Sequence, residues 1–283
     1  MSPNSLDNPF HHTETNKGTS SELTRRLLSS ADAQALTEAL GEDEPSKSEP
    51  QPNLPPADIS MSVEEQREVE KEPYWIREQY IEWAEEVTED KSWIDKIFKF
   101  QPDGTTIVEG NLNLLSRKIK QLPIGLVEVK GNLNISQNPS FKLNGYPKKV
   151  GGRFECCHSD LSSLQGIPEE IGENFNVRNN HLTSLVGLPR KVNLDLILDE
   201  NLIVNLEGIS KEVSGSLFLN DNGELISLEA LKGVKIGGDL WLIDVPATEI
   251  PAGIEIGGNI LINSSHADLI ADAKKKGYQV KIL

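Results

Sequence analysis

The amino-acid sequence predicts an α/β-type repeat solenoid, a stack of about eight units of about 21 residues joined by a parallel sheet. Three observations carry this expectation. Apolar anchors fall at Leu112, Leu133, Phe154, Phe175, Leu196, Leu217, Leu240 and Ile260, in steps of 21, 21, 21, 21, 21, 23 and 20 residues. Four residues before each anchor stands a β-branched aliphatic: Val108, Val129, Val150, Ile171, Val192, Val213, Ile236 and Ile256. Two residues after each stands another apolar or thiol side chain, from Leu114, Ile135 and Cys156 through to Ile262. These offsets are all even, so the three side chains are expected on one face of one strand. Glycine recurs two residues before the anchor (Gly110, Gly131, Gly152, Gly215, Gly238, Gly258) and predicts a bend or a close approach of backbone there.

The rest of each unit follows in order. Asparagine recurs five residues after the anchor, at Asn138, Asn180, Asn201 and Asn222. Stacked asparagines are expected to bond backbone groups that the bend would otherwise bury unpaired. Apolar residues return at Ile119, Leu161, Leu182 and Ile203, then at Leu122, Leu143, Leu164, Leu185, Leu206 and Ile250, and proline closes the turn at Pro147, Pro168 and Pro189. One unit cannot bury this apolar face alone; its neighbours in the stack do so.

The stretches LNLLSRKIKQLP (112–123), FNVRNNHLTSL (175–185) and LILDENLIVNL (196–206) resemble the leucine-rich-repeat family. A "SLxGxPxxVGGxF" cadence, seen in Ser163–Pro168 and Val150–Phe154, is similar to short units of many bacterial and phage proteins. The resemblance covers about residues 108–265. It implies a non-enzymatic protein-binding module that uses its strand face. The first aliphatic lies four residues before the anchor where the family has three, so a parallel β-helix is the alternative fold.

Flanking segments differ in composition. Residues 1–104 hold 10 Lys+Arg and 23 Asp+Glu, whereas 105–283 hold 18 and 21. Residues 1–61 are expected to be a disordered acidic leader, proline-rich from Gly41 to Met61, with an amphipathic helix possible over 20–40. Residues 62–107 are expected to cap the first unit. Ser62 and Glu65 form a capping box, Pro73 restarts the helix, and Ile76, Tyr80, Trp83, Ala84 and Val87 share one face. Pro102-Asp103-Gly104 predicts a turn. Residues 266–283 read as a helix–strand cap, with Ser265 as N-cap and Gly277 as stop. An acidic chain without a basic stripe argues against nucleic acid and anionic membrane as partners. With no apolar h-region and two adjacent cysteines, the chain is expected to be cytoplasmic, signal-less export aside.

No catalytic or nucleotide-binding motif is present, and no cofactor or metal is expected. Cys156-Cys157-His158 is the one reactive-looking group. Cys156 is expected in the core; Cys157 and His158 lack a third group to orient a base, which makes an enzyme the lesser reading. The outward strand positions are more informative. The residue after each anchor is polar in the first four units (Asn113, Asn134, Glu155, Asn176) and apolar in the last four (Ile197, Phe218, Trp241, Leu261). Ile243 adds to this stripe, and Arg178, Asp199, Asn220 and Asn263 are expected to rim it. A contiguous exposed apolar stripe predicts a protein partner, or self-association as a scaffold.

Overall fold

A computed structural model describes residues 73–283. The expected leader, its helix over 20–40 and the Ser62 capping box lie outside the described residues. From Thr106 onward, stacked parallel strands build a β-solenoid of about eight coils. The strands that carry the anchors, from Leu112–Asn113 to Ile260–Ile262, join Val280–Ile282 in one nine-stranded sheet. Register is kept at every step, anchor against anchor, including Leu217 against Leu240 where the spacing is longest. The two extra residues are taken up by a short 3-10 turn at Glu229–Leu231. Among the described residues no α-helix joins one anchor strand to the next; the helix at Ala267–Lys275 follows the last anchor strand and precedes the ninth strand of the sheet.

Each coil holds two short strands where the pattern predicts one. The aliphatic four residues before the anchor lies in a leading strand of its own. Thr106–Val108, Leu126–Val129, Lys149–Val150 and Glu170–Ile171 belong to a five-stranded sheet, and Lys191–Val192, Glu212–Val213, Lys235–Ile236 and Glu255–Ile256 to a four-stranded one. Both inward sets are buried against one continuous core, apart from a partly buried Ile256. The chain turns a corner between them because coils meet there at backbone distance. A Cβ on Gly151, Gly172, Gly237 or Gly257 would lie 1.9–2.2 Å from a carbonyl oxygen of the preceding coil.

The residue just before the anchor completes the corner. Asn111, Asn132, Asn174, Asp195, Ser216 and Asp239 each accept a hydrogen bond from the backbone N–H of the equivalent residue one coil on, at 2.7–3.3 Å. That acceptor occupies the space a Cβ would need on the next coil's glycine: 2.3 Å from Gly131, 2.1 Å from Gly152, 2.3 Å from Gly215, 2.5 Å from Gly238 and 2.1 Å from Gly258. The exceptions fit. Arg153 offers no short acceptor, and the next coil has Glu173, which pairs with it. Asn174 makes the longest bond of the series, 3.3 Å, and the next coil has Leu194. In that coil Asn193 also replaces the preceding glycine, and its Nδ2 donates to the Ile171 carbonyl at 3.0 Å. The leading sheet is interrupted at this point, between Ile171 and Val192.

The asparagine ladder closes the opposite bend. Asn180 Nδ2 donates to the carbonyls of Val177 and, on the preceding coil, Cys156, both at 2.8 Å. Its Oδ1 accepts from the backbone N–H groups of Ser159 and Leu161 at 3.0 Å. Asn138, Asn201 and Asn222 repeat the pattern, and Ser159 stands in for the missing asparagine of its coil. The residue before each ladder position holds a positive φ, as at Gln137, His158, Asn179 and Glu200. This turns the chain tightly enough to bring the amide inward.

The N-terminal segment forms helix α1 (Arg77–Thr88), helix α2 (Trp93–Ile97) and a hairpin of Phe98–Phe100 with Thr106–Val108. Tyr80, Trp83, Ala84 and Val87 are buried, and the Tyr80 hydroxyl meets Thr106 Oγ1 at 2.7 Å. Two details correct the sequence reading. α1 starts at Arg77, past Pro73, with Gln79 Oε1 accepting from the Ile76 N–H at 2.9 Å. Ile76, being outside the helix, is 61% exposed. At the other end, helix α3 (Ala267–Lys275) buries Leu269, Ile270 and Ala273, and Val280–Ile282 pairs with Ile260–Ile262. His266, not Ser265, holds the N-cap position, and no side chain caps it. No helix among the described residues is long and apolar enough to cross a membrane.

Candidate functional site

The outer face of the anchor sheet sets one side chain per coil in a row, because the register never slips. Ile197, Phe218 and Trp241 stand there partly exposed on three successive strands. Strand spacing of ~4.8 Å gives a stripe of roughly 14 Å when Leu261 is included. The rings of Phe218 and Trp241 are stacked, with centroids 5.3 Å apart and planes at 22°. Their faces are therefore turned along the stack and their edges outward.

Two expected site residues are placed differently. Leu261 is only 2% exposed yet stands apart from the interior core. It lies between its register partners Trp241 and Lys281, the latter contributed by the added ninth strand. It supports the stripe from one end and offers little surface of its own. Asp199, expected on the rim, is 8% exposed. Its Oδ1 accepts from the Asn220 N–H at 2.8 Å, and Asn220 Oδ1 accepts in turn from the Ile243 N–H at 2.8 Å. These side chains bind one coil to the next before they can serve a partner. Arg178 is exposed and held by Glu200, with Nε to Oε1 at 2.9 Å; Ile243 is partly exposed.

Burial raises the Asp199 carboxyl above its usual range, helped by Asp221 and Glu200 and opposed by the Asn220 N–H and Arg178. A raised carboxyl binds its proton more tightly in the folded state. Its contribution therefore turns unfavourable as pH rises from the unfolded-state pKa through the raised value. Asp199→Asn keeps an acceptor for Asn220 and removes the charge. It is expected to raise the denaturation midpoint at pH 7 and to match wild type at a pH below the carboxylate range. An equal offset at both pH values would refute this.

The leading strands present a different surface. Their outward residues alternate in sign from coil to coil: Glu128, Lys149, Glu170, Lys191, Glu212, Lys235, Glu255. Lys149 meets Glu170 at 3.3 Å and Lys235 meets Glu255 at 3.3 Å, while Lys191 pairs with Glu212. Each exposed pair contributes no more than about 1 kcal/mol. Together they satisfy their own charges, and a slip by one coil would set like charges opposite one another. The alternation was legible in the sequence as a 21-residue recurrence with changing sign, but a search for recurring residue types passes over it.

Cys156 is fully buried, and burial pushes its thiol up to about 12. Cys157 is partly buried, its thiol is also raised by burial, and its Sγ lies 3.8 Å from the Asn176 carbonyl oxygen. His158 Nδ1 meets Asn179 Oδ1 at 2.9 Å. Among the described residues no three His, Cys, Asp or Glu side chains are placed to hold a metal ion. No protein-family model, curated protein or solved structure matches the chain.

Proposed function

We propose that this chain is a non-enzymatic protein-binding module of leucine-rich-repeat-like type, and that it binds through the outer face of its anchor sheet. One observation carries the reading. A row of partly exposed apolar side chains, Ile197, Phe218 and Trp241 with Ile243 beside them, lies on a sheet whose other outward positions are polar, apart from the exposed Leu115 at the far end, the part-buried Cys157 and the buried Leu261. Such a row is costly to leave in water unless something covers it. The anchor, the apolar residue two positions on and the buried asparagine five positions on support the leucine-rich-repeat assignment, since they meet in 175–185 and 196–206, though Arg117 takes the asparagine's place in 112–123. The leading strands and the anchor-to-anchor links without α-helix favour the rival parallel β-helix. Both folds present a side-chain row on a parallel sheet, so the binding reading holds under either. Thiol chemistry at Cys157 is the weaker reading, because burial disfavours the thiolate that would act.

The test uses the full chain, immobilised, beside Ile243→Ser and, on the polar half of the same sheet, Asn113→Ser. A partner retained by wild type and Asn113→Ser, and lost by an Ile243→Ser protein with wild-type thermal midpoint, supports the stripe. Retention by a folded Ile243→Ser protein, or equal loss with Asn113→Ser, would place binding elsewhere. Self-association is the competing outcome, read as a mass that rises with concentration in light scattering.

A further inference from the structure

We infer that the partner of the stripe is a cationic segment, one in which apolar side chains alternate with or are flanked by lysine or arginine. This rests on the binding reading above and specifies it. The inference comes from what surrounds the stripe once the coils are stacked. Over the four coils from Lys191 to Ser264, the apolar row stands one after the anchor, and three outward or corner positions frame it: those one before and three and four after the anchor. They hold six carboxylates, Asp195, Asp199, Glu200, Asp221, Asp239 and Asp244, and no lysine or arginine. The same positions on the first four coils hold Arg153 and Arg178 and no carboxylate, Glu155 standing one after its anchor. The near-neutral solenoid is thus two halves of opposite sign. Residues 105–190 carry 10 Lys+Arg and 7 Asp+Glu, and residues 191–264 carry 4 and 12.

Two fixed cations border the frame, Arg178 on the coil before it and Lys281 beside Leu261 on the strand after it, against six carboxylates. Glu200 is bound by Arg178 and Asn179. Asp195, Asp199 and Asp239 accept backbone N–H groups, which leaves their negative charge in place. Asp221 is exposed and beside Asp244, and their mutual repulsion adds to burial in raising its carboxyl. An apolar row set in such a field attracts a cation-bearing apolar segment and repels an acidic one. A second copy is disfavoured on the same ground, since stripe against stripe would oppose the same carboxylates.

The rings narrow the chemistry further. Phe218 and Trp241 cover each other's faces, and the other face of Trp241 is turned toward Leu261. Only ring edges are presented. Register sets Ile197 on the far side of Phe218, so a cation stacking over either ring face would compete with a neighbour in the row. The cation is therefore met by carboxylates, and the apolar contact is made by aliphatic side chains packing on ring edges, Ile197 and Ile243.

The experiment is an NMR titration of the isotope-labelled full chain with two synthetic octapeptides, one alternating leucine with lysine and one alternating leucine with glutamate. The lysine peptide is expected to shift the Trp241 indole N–H and the amides of coils five to eight. It should bind at least about tenfold more tightly than the glutamate peptide at low salt. The preference should shrink toward parity as salt rises from about 50 mM to about 500 mM. Asp221→Asn with Asp244→Asn, which leaves the corner bonds of Asp195 and Asp239 intact, should reduce it several-fold. Equal shifts at the stripe from both peptides would overturn the cationic partner while leaving the binding face standing. Shifts from the lysine peptide spread over acidic residues, with the Trp241 indole unmoved, would overturn both. A dimer at low salt that buries the Trp241 indole would replace the cationic partner with a second copy.

Discussion

Gly172→Ala is expected to destabilise the solenoid by about 3 kcal/mol or more, the upper range for forcing atoms into a filled space. The new Cβ would stand 1.9 Å from the carbonyl oxygen of Gly151 and 2.7 Å from its carbonyl carbon. Neither can withdraw as a side chain would, because both are backbone held in the stack. Gly172 N–H donates to the Val150 carbonyl at 2.9 Å, and the next corner is built on this one. Gly110→Ala is the matched control. Its Cβ would meet nothing within 4 Å. It is expected to be neutral or to stabilise by about 0.5 kcal/mol, by narrowing the unfolded chain's freedom. Urea unfolding of the two variants beside wild type measures both. A Gly172→Ala protein within about 1 kcal/mol of wild type would show that the corner has slack and that the account of the glycine pairs is wrong.

Asn180→Ala is the second large effect, on the order of 3–5 kcal/mol. The side chain makes two good bonds through Nδ2 and two through Oδ1, all among buried groups. Truncation leaves carbonyls of Cys156 and Val177 and N–H groups of Ser159 and Leu161 without that partner. Each buried group left unmet costs about 1–3 kcal/mol, and partial entry of water into the space reduces the sum. Asn180→Asp should also destabilise strongly, since a carboxylate keeps the acceptor and loses the donor. Asn205→Ala, at an exposed position where the side chain accepts one local N–H, should change stability by no more than about 0.5 kcal/mol. Calorimetric midpoints for the three variants decide the matter: if Asn180→Ala and Asn205→Ala fall together, the ladder is not a stabilising element.

Both predictions join a residue type visible in the sequence to a reason visible only in the stack. The asparagines were legible because each sits at a fixed distance from an anchor and is polar among apolar neighbours. Glycine at the corner was legible as a recurrence. Its cause was not, because the atom that fills the missing Cβ space belongs to a residue about 20 positions earlier. Reading two ladders together shows only part of it: glycine is absent where the preceding coil has Arg153, whereas Asn111 and Asn132 precede glycine and Asn174 precedes Leu194. The outward stripe was legible as a change from polar to apolar after Asn176. Leu261 and Asp199 were misplaced because exposure on a sheet face depends on the neighbouring strand, and for Leu261 that strand comes from the C-terminal segment.

The sequence by itself determined the period, the inward residues and the position of the buried asparagines. A stacked repeat places like residues in contact, so the pattern along the chain is already the pattern of contacts between coils. The tertiary structure alone decided that each coil breaks into two strands, that the leading sheet parts at Ile171 and Val192, and that the anchor sheet carries its acidic and apolar surface on the same four coils. These follow from distances between backbones of neighbouring coils and from which charges share a face. Even offsets describe a straight strand, and they stay even when the backbone turns a corner between them.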